Sequence, residues 1–311
     1  MTSLRESISE YLELRRSLGF RLNKDERLLG DFAGFMERRH ATHITAKLAV
    51  QWAQQPASTD PNYLAGRLRA VRSFARYRFL SDLRTEIPAT DLLPRRRITF
   101  QPHIFSAEEI ECILAGSLRK KGGATRFYCL GRYTIYGLIS VTGMRVSEVL
   151  NLDLDDVDLD QGVITIRNAK FGKSRLVPVH ETTRVALESY RAQRDAHLAG
   201  RKVDAFFISV PGRRIIPSVL DRAFRRLTRR LGLRDIAAPS GPRLHDLRHT
   251  MAVEVLRRCY STGADPVRRL PALSTYLGHT QLTYTYWYLH QNPGLMAEAV
   301  ARLQHRWEAP A

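Results

Sequence analysis

Four short segments of this 311-residue chain hold side chains suited to work on a phosphate-like anion. The first, Thr142-Gly143-Met144-Arg145-Val146-Ser147-Glu148, places an arginine and a glutamate three residues apart, so both can share one helix face just after a glycine turn. An arginine there can meet an anion near the helix's positive end. The second, His245-Asp246-Leu247-Arg248-His249, repeats that spacing with a titratable donor and a permanent, fork-shaped cation. Between them two β-branched runs, residues 163–167 and 175–179, flank a turn at 168–174 that carries Lys170 and Lys173, the pattern of a small β-hairpin. The fourth, Leu277-Gly278-His279, precedes Thr283-Tyr284-Thr285-Tyr286-Trp287-Tyr288. Alone, each has an ordinary structural reading: a helical Arg/Glu pair is usually a surface ion pair, and a tyrosine stripe is usually a core or interface aromatic.

In this order, with the hairpin between them, the segments resemble the tyrosine recombinase (phage integrase) family. The resemblance implies a catalytic set of Arg145, Lys170, His245, Arg248, His279 and Tyr288, supported by Glu148 and His249. It implies cleavage of a phosphodiester without metal, which needs a nucleophile, an acid for the leaving oxygen and cations for the non-bridging oxygens. Tyr288 would attack the scissile phosphate, leaving a 3′-phosphotyrosine and a free 5′-hydroxyl, while Arg145 and Arg248 clamp the non-bridging oxygens. Lys170 would protonate the departing oxygen; His245 and His279 would hydrogen-bond the phosphate, His245 also accepting the tyrosine's proton. Glu148 would orient Arg145, and His249 would serve structure or orientation. Lys173 competes with Lys170 for the hairpin role. Tyr284 and Tyr286 compete with Tyr288, whose nine-residue distance from His279 and trailing Leu289-His290 fit the family's ending. Residues 259–273 lengthen the spacing from Arg248 to His279 beyond that of typical members. No metal and no cofactor are expected. A type IB topoisomerase, which shares the nucleophile and the clamp, and a non-catalytic DNA-binding protein are the alternative functions.

The composition fits a polyanionic partner. Against 49 Lys and Arg stand 31 Asp and Glu, a formal charge of +18, and the excess is mostly arginine, whose planar fork matches phosphate. Residues 1–97 carry 18 basic against 11 acidic residues and residues 98–311 carry 31 against 20, so both halves can face DNA. With 44% hydrophobic and 26% charged residues the chain reads as about two globular domains, not as a disordered, collagenous or coiled-coil protein. Apolar runs such as residues 135–141 fall far short of the ~20 residues of a membrane span. The opening residues are amphipathic and charged, without the apolar centre of a signal peptide, so a cytoplasmic location is expected. Cys112, Cys129 and Cys259 are odd in number and widely spaced, which predicts small core residues instead of a disulfide framework or zinc cluster.

The elements that must position these groups read as mainly helical. Leu12, Leu14, Leu18 and Phe20, then Leu28, Leu29, Phe32, Phe35 and Met36, recur near helical spacing, and residues 46–54 and 63–80 continue the pattern. The last stretch carries Arg67, Arg69, Arg72, Arg76 and Arg78, with no acidic residue between 64 and 80 to pair them, and is read as phosphate-facing. Pro88, Pro94, Arg95-Arg96-Arg97 and Pro102 mark a basic linker. The expected division is an N-terminal helical DNA-binding (core-binding) domain at 1–92, a linker at 93–105 and a catalytic domain at 106–311 that opens on the helix cap Ser106-Ala107-Glu108-Glu109. Further helices are predicted at 182–199, 217–231 and 245–259; the second sets Arg225, Arg226 and Arg229 opposite an apolar stripe of Leu220, Phe224 and Leu227, and is expected to face DNA. The fold class is therefore mainly α with a small β-hairpin or sheet. By the resemblance, the two domains clamp double-stranded DNA, a dimer on each site and a tetramer on paired sites. The stripe Leu295, Met296, Ala299, Val300 and Leu303 predicts a C-terminal helix that folds back or docks on a neighbouring subunit. Integration, excision or transposition of a mobile element is favoured over resolution of chromosome dimers.

Overall fold

The computed structural model describes residues 3–20, 22–57, 60–95, 101–118, 123–167, 174–235, 241–262, 266–278, 281, 283, 285, 296–297 and 300. The chain divides into two compact units, residues 1–100 and 101–311.

Among the described residues the first unit has four helices: α1 (Leu4–Ser17), α2 (Asn23–Arg38), α3 (Ala46–Gln54) and α4 (Pro61–Arg78). Local signals start three of them. Ser3 and Glu6 form a reciprocal cap on α1, the Thr45 hydroxyl accepts the Leu48 N–H on α3, and Asp60 caps α4 with Pro61 at its first position. Their apolar faces close on Leu29, Phe32, Ala33, Trp52, Val71 and Phe74, all without exposure to solvent. In α1 the inward residues are Ile8, Tyr11 and Leu12, whereas Leu14 and Leu18 of the predicted stripe point outward. Leu93 completes this core.

The arginines of α4 do not form one exposed face. Arg67 is 6% exposed, its guanidinium 3.9 Å above the Trp52 ring and bonded to Asp31 Oδ2 (3.0 Å) and the Trp52 carbonyl (3.2 Å). The missing acidic partner is thus on α2, 36 residues away, and Arg67 leaves the set of expected DNA contacts. Arg78 is buried against Ser7 and Asp82, and half-buried Arg72 donates to the carbonyls of Pro88 (2.6 Å) and Ala89 (2.5 Å). Arg69, Arg76 and Arg95 are exposed.

In the second unit α5 (Ala107–Leu118) opens on the predicted cap, Ser106 Oγ accepting from Glu109 N and Glu109 from Ser106 N. The 20-residue α6 (Gly123–Thr142) packs against α5 and against two later helices, α8 (Glu181–Leu198) and α10 (Asp246–Ser261). Ile135, Tyr136 and Ile139 are fully buried there. The short α7 (Val146–Leu150) follows, then β1 (Val157–Asp158), β2 (Val163–Ile166) and β3 (Arg175–Pro178), an antiparallel sheet in that order. Pairing of Ile164 with Val177 and Ile166 with Arg175 puts these four side chains on the buried face. The amphipathic α9 (Pro217–Arg230) buries Leu220, Phe224 and Leu227 as predicted, and α11 (Pro266–Leu277) packs on α10 with Pro271 inside it. Cys129 and Cys259 are core residues, but Cys112 is exposed on α5. Among the described residues no helix is long and apolar enough to cross a membrane.

Candidate active site

The Gly143 turn between α6 and α7 presents Arg145. Its φ of +62° favours glycine, and an added Cβ would lie 3.0 Å from the side-chain ends of both Leu277 and Met251, a tight approach to α10 and α11. Arg145 stands at the start of α7, where Glu148 reaches back to accept its backbone N–H (2.8 Å) and its Nη1 (2.7 Å). Arg248 enters from the first turn of α10 and is 1% exposed; Nη1 donates to the Gly143 carbonyl (2.5 Å) and Nη2 to the Leu277 carbonyl (2.7 Å).

A third arginine completes the arrangement. From β3, Arg175 forks onto both Glu148 oxygens (3.0 and 2.7 Å) and donates from Nε to the Tyr276 carbonyl (2.8 Å), while Arg145 Nη2 donates to the Gly278 carbonyl (2.8 Å). Three consecutive carbonyls at the end of α11, those of Tyr276, Leu277 and Gly278, thus each accept from a different arginine. Such carbonyls have no partner within their own helix and sit at the negative end of its dipole, so charged donors suit them. No short motif marks Arg175 as a site residue; only its place at the start of a predicted strand, behind Lys170 and Lys173, points to it.

His245 immediately precedes α10, its ring 4.8 Å from that of His249 and edge-on to it. Burial first, then the nearby charges of Arg248, Arg243 and Arg145, press its pKa down to about 4, so the ring is neutral at neutral pH. Burial pushes the Glu148 carboxyl the other way, but its bonds to Arg175 and Arg145 prevail and hold it at about 2. Three guanidiniums against one carboxylate leave the cluster a surplus of positive charge, which favours an anion with developing negative charge.

Of the expected site residues, Arg145, Glu148, His245, Arg248 and His249 come together here. Lys170, Lys173, His279, Tyr284, Tyr286 and Tyr288 lie outside the described residues, as do Arg96, Arg97 and much of the 295–303 stripe; Gly278 directly precedes His279. On α9, Arg225, Arg226 and Arg229 are exposed, Arg225 pairing with Asp221 at 2.9 Å. Among the described residues no three His, Cys, Asp or Glu side chains gather as a metal site requires.

Residues 105–294 match the model of the phage integrase family. The chain belongs to that family. It is a tyrosine recombinase, an enzyme that breaks and rejoins DNA in site-specific recombination. The recombinase is 45% identical over 316 residues to a Sinorhizobium fredii protein named as the integrase/recombinase y4rB, covering 99% of each chain. It is 30% identical to the tyrosine recombinase XerC of Pseudomonas putida over 74% of this chain and 70% of that one. Its fold matches the structure of the Tn1549 transposon integrase in complex with transposon right-end DNA, with a TM-score of 0.66 at 17% identity, across 98% of this chain and 99% of the other.

Proposed function

We propose that this recombinase moves a mobile element, integrating, excising or transposing it by cutting and rejoining each strand through a 3′-phosphotyrosine on Tyr288. The observation that carries the reading is the Arg145, Arg248 and His245 cluster, a positively charged group of side chains with a neutral imidazole beside it. Arg145 and Arg248 bind the non-bridging oxygens of the scissile phosphate. The Tyr288 oxygen attacks phosphorus as His245 accepts its proton; the P–O5′ bond breaks, and Lys170 protonates the departing oxygen, with His279 hydrogen-bonded to the phosphate. Energy of the diester is kept in the tyrosyl ester, so a 5′-hydroxyl from another strand reverses the step without a nucleotide. The likeness to y4rB over the full chain and to a transposon integrase in fold supports the mobile-element role.

Exchange between two duplex sites cuts four strands. With one nucleophile per chain, that requires a dimer on each site and a tetramer on the pair, the C-terminal stripe providing contact between subunits. Residues 1–92 bind one side of the DNA and residues 106–311 carry the chemistry, with Arg69, Arg76, Arg95, Arg225, Arg226 and Arg229 among the phosphate contacts. The enzyme works in the cytoplasm.

The test is covalent capture on a nicked duplex bearing the element's end sequence. Tyr288→Phe binds this DNA and yields no covalent complex, whereas Tyr284→Phe and Tyr286→Phe still do. Capture by Tyr288→Phe overturns the assignment.

A further inference from the structure

Arg175 spans three elements that the reaction needs at once. Its fork occupies both oxygens of Glu148 on α7, its Nε holds the Tyr276 carbonyl at the end of α11, and it begins the strand that follows Lys170 in the sequence. Register places it on the buried face of the sheet, opposite Ile166, with its side chain 12% exposed. Glu148 in turn fixes Arg145 through both backbone and side chain. The contact with α11 is close: a methyl on Gly278 would lie 2.6 Å from Arg175 Nη1, and the φ of +66° there also favours glycine. A lysine keeps the charge but gathers its three N–H donors on one nitrogen, too compact to span two carboxylate oxygens and a carbonyl together.

From this we infer that Arg175 is a positioning residue for strand cleavage, setting Arg145 through Glu148 and holding the end of α11 against the β2–β3 sheet. It touches no substrate atom itself. The inference rests on the active-site reading proposed above and adds to it the part that aligns the phosphate clamp with the strand behind Lys170 and with the chain entering His279. A displacement of about 1 Å in such a group costs on the order of 100-fold in rate, without a matching cost in binding.

The experiment compares Arg175→Met and Arg175→Lys in the full chain, by single-turnover formation of the covalent complex at increasing protein concentration. The expected result for Arg175→Met is a saturating rate constant lower by about 100-fold, with a half-saturating concentration within about threefold of the parent; for Arg175→Lys the loss is about tenfold. A residue that only supports folding would instead reduce the amplitude, through a smaller active fraction, and leave the rate constant alone. A parent-like rate constant in the soluble Lys variant, or loss confined to amplitude or to DNA affinity, overturns the inference. Should the Met variant be insoluble, the Lys variant decides by the same criteria. Tyr288→Phe run alongside separates the two readings: capture by it removes the active-site assignment, whereas an inert Tyr288→Phe beside parent-like Arg175 variants removes only the role of Arg175.

Discussion

His245 lies among Arg145, Arg243, Arg248 and His249, with Glu148 the nearby anion, and its folded pKa is about 4 against an ordinary 6.5. As the pH falls below 6.5 the unfolded chain takes up a proton that the folded chain refuses, so stability present above 6.5 is lost on the way down to about 4. His245→Gln, which cannot titrate, is expected to show a smaller drop in melting temperature between about pH 7 and pH 4.5 than the parent, measured by circular dichroism. An identical drop would mean that the imidazole is not held neutral. Residues this close to the chemistry were legible wherever a short motif carried them: Arg145 with Glu148, and His245 with Arg248 and His249, are neighbours in sequence before they are neighbours in space. Arg175 was not, because its importance lies in contacts 27 and 101 residues distant and in a strand register that turns it inward.

Helix α4 shows how two arginines two residues apart, and so on nearly opposite faces, come to do different things. Arg67 packs its guanidinium on Trp52 and bonds to Asp31, while Arg69 stands in solvent. Arg67→Ala is expected to cost about 2 kcal/mol of stability through the lost stacking and hydrogen bonds, whereas Arg69→Ala and Arg76→Ala change stability by less than about 0.5 kcal/mol. On DNA the order reverses: each of the latter two lowers affinity across all sequences and reduces the salt slope by about one. Urea unfolding and DNA titration of the three variants check this; an Arg67→Ala protein as stable as the parent contradicts it. Amphipathic elements were readable from periodicity, as α3, α8 and α9 attest, and so were the two longer strands. Three others were not. Helix α6 ends on the apolar run 135–141, which shows no helical spacing, β1 is two residues long, and α11 holds a proline that argues against a helix although packing on α10 sustains one.

At the scale of the whole molecule the +18 charge is spread over both compact units, and among the described residues Arg225, with Asp221, is the one exposed arginine of α4 and α9 in an ion pair. Binding to duplex DNA should therefore release many counterions. Affinity is expected to fall roughly a thousandfold or more between about 50 and 200 mM salt, with a linear log–log plot. A shallow dependence in a fluorescence anisotropy titration would show that phosphate contacts are few. The two cores also make the units separately observable. Trp52, sealed beneath the Arg67 guanidinium, is the lone tryptophan of residues 1–100, the others being Trp287 and Trp307. In a chain carrying Trp287→Phe and Trp307→Phe, ultraviolet emission arises from that single indole, and its colour becomes an internal lamp for the N-terminal helices, visible in the intact enzyme while it grips DNA.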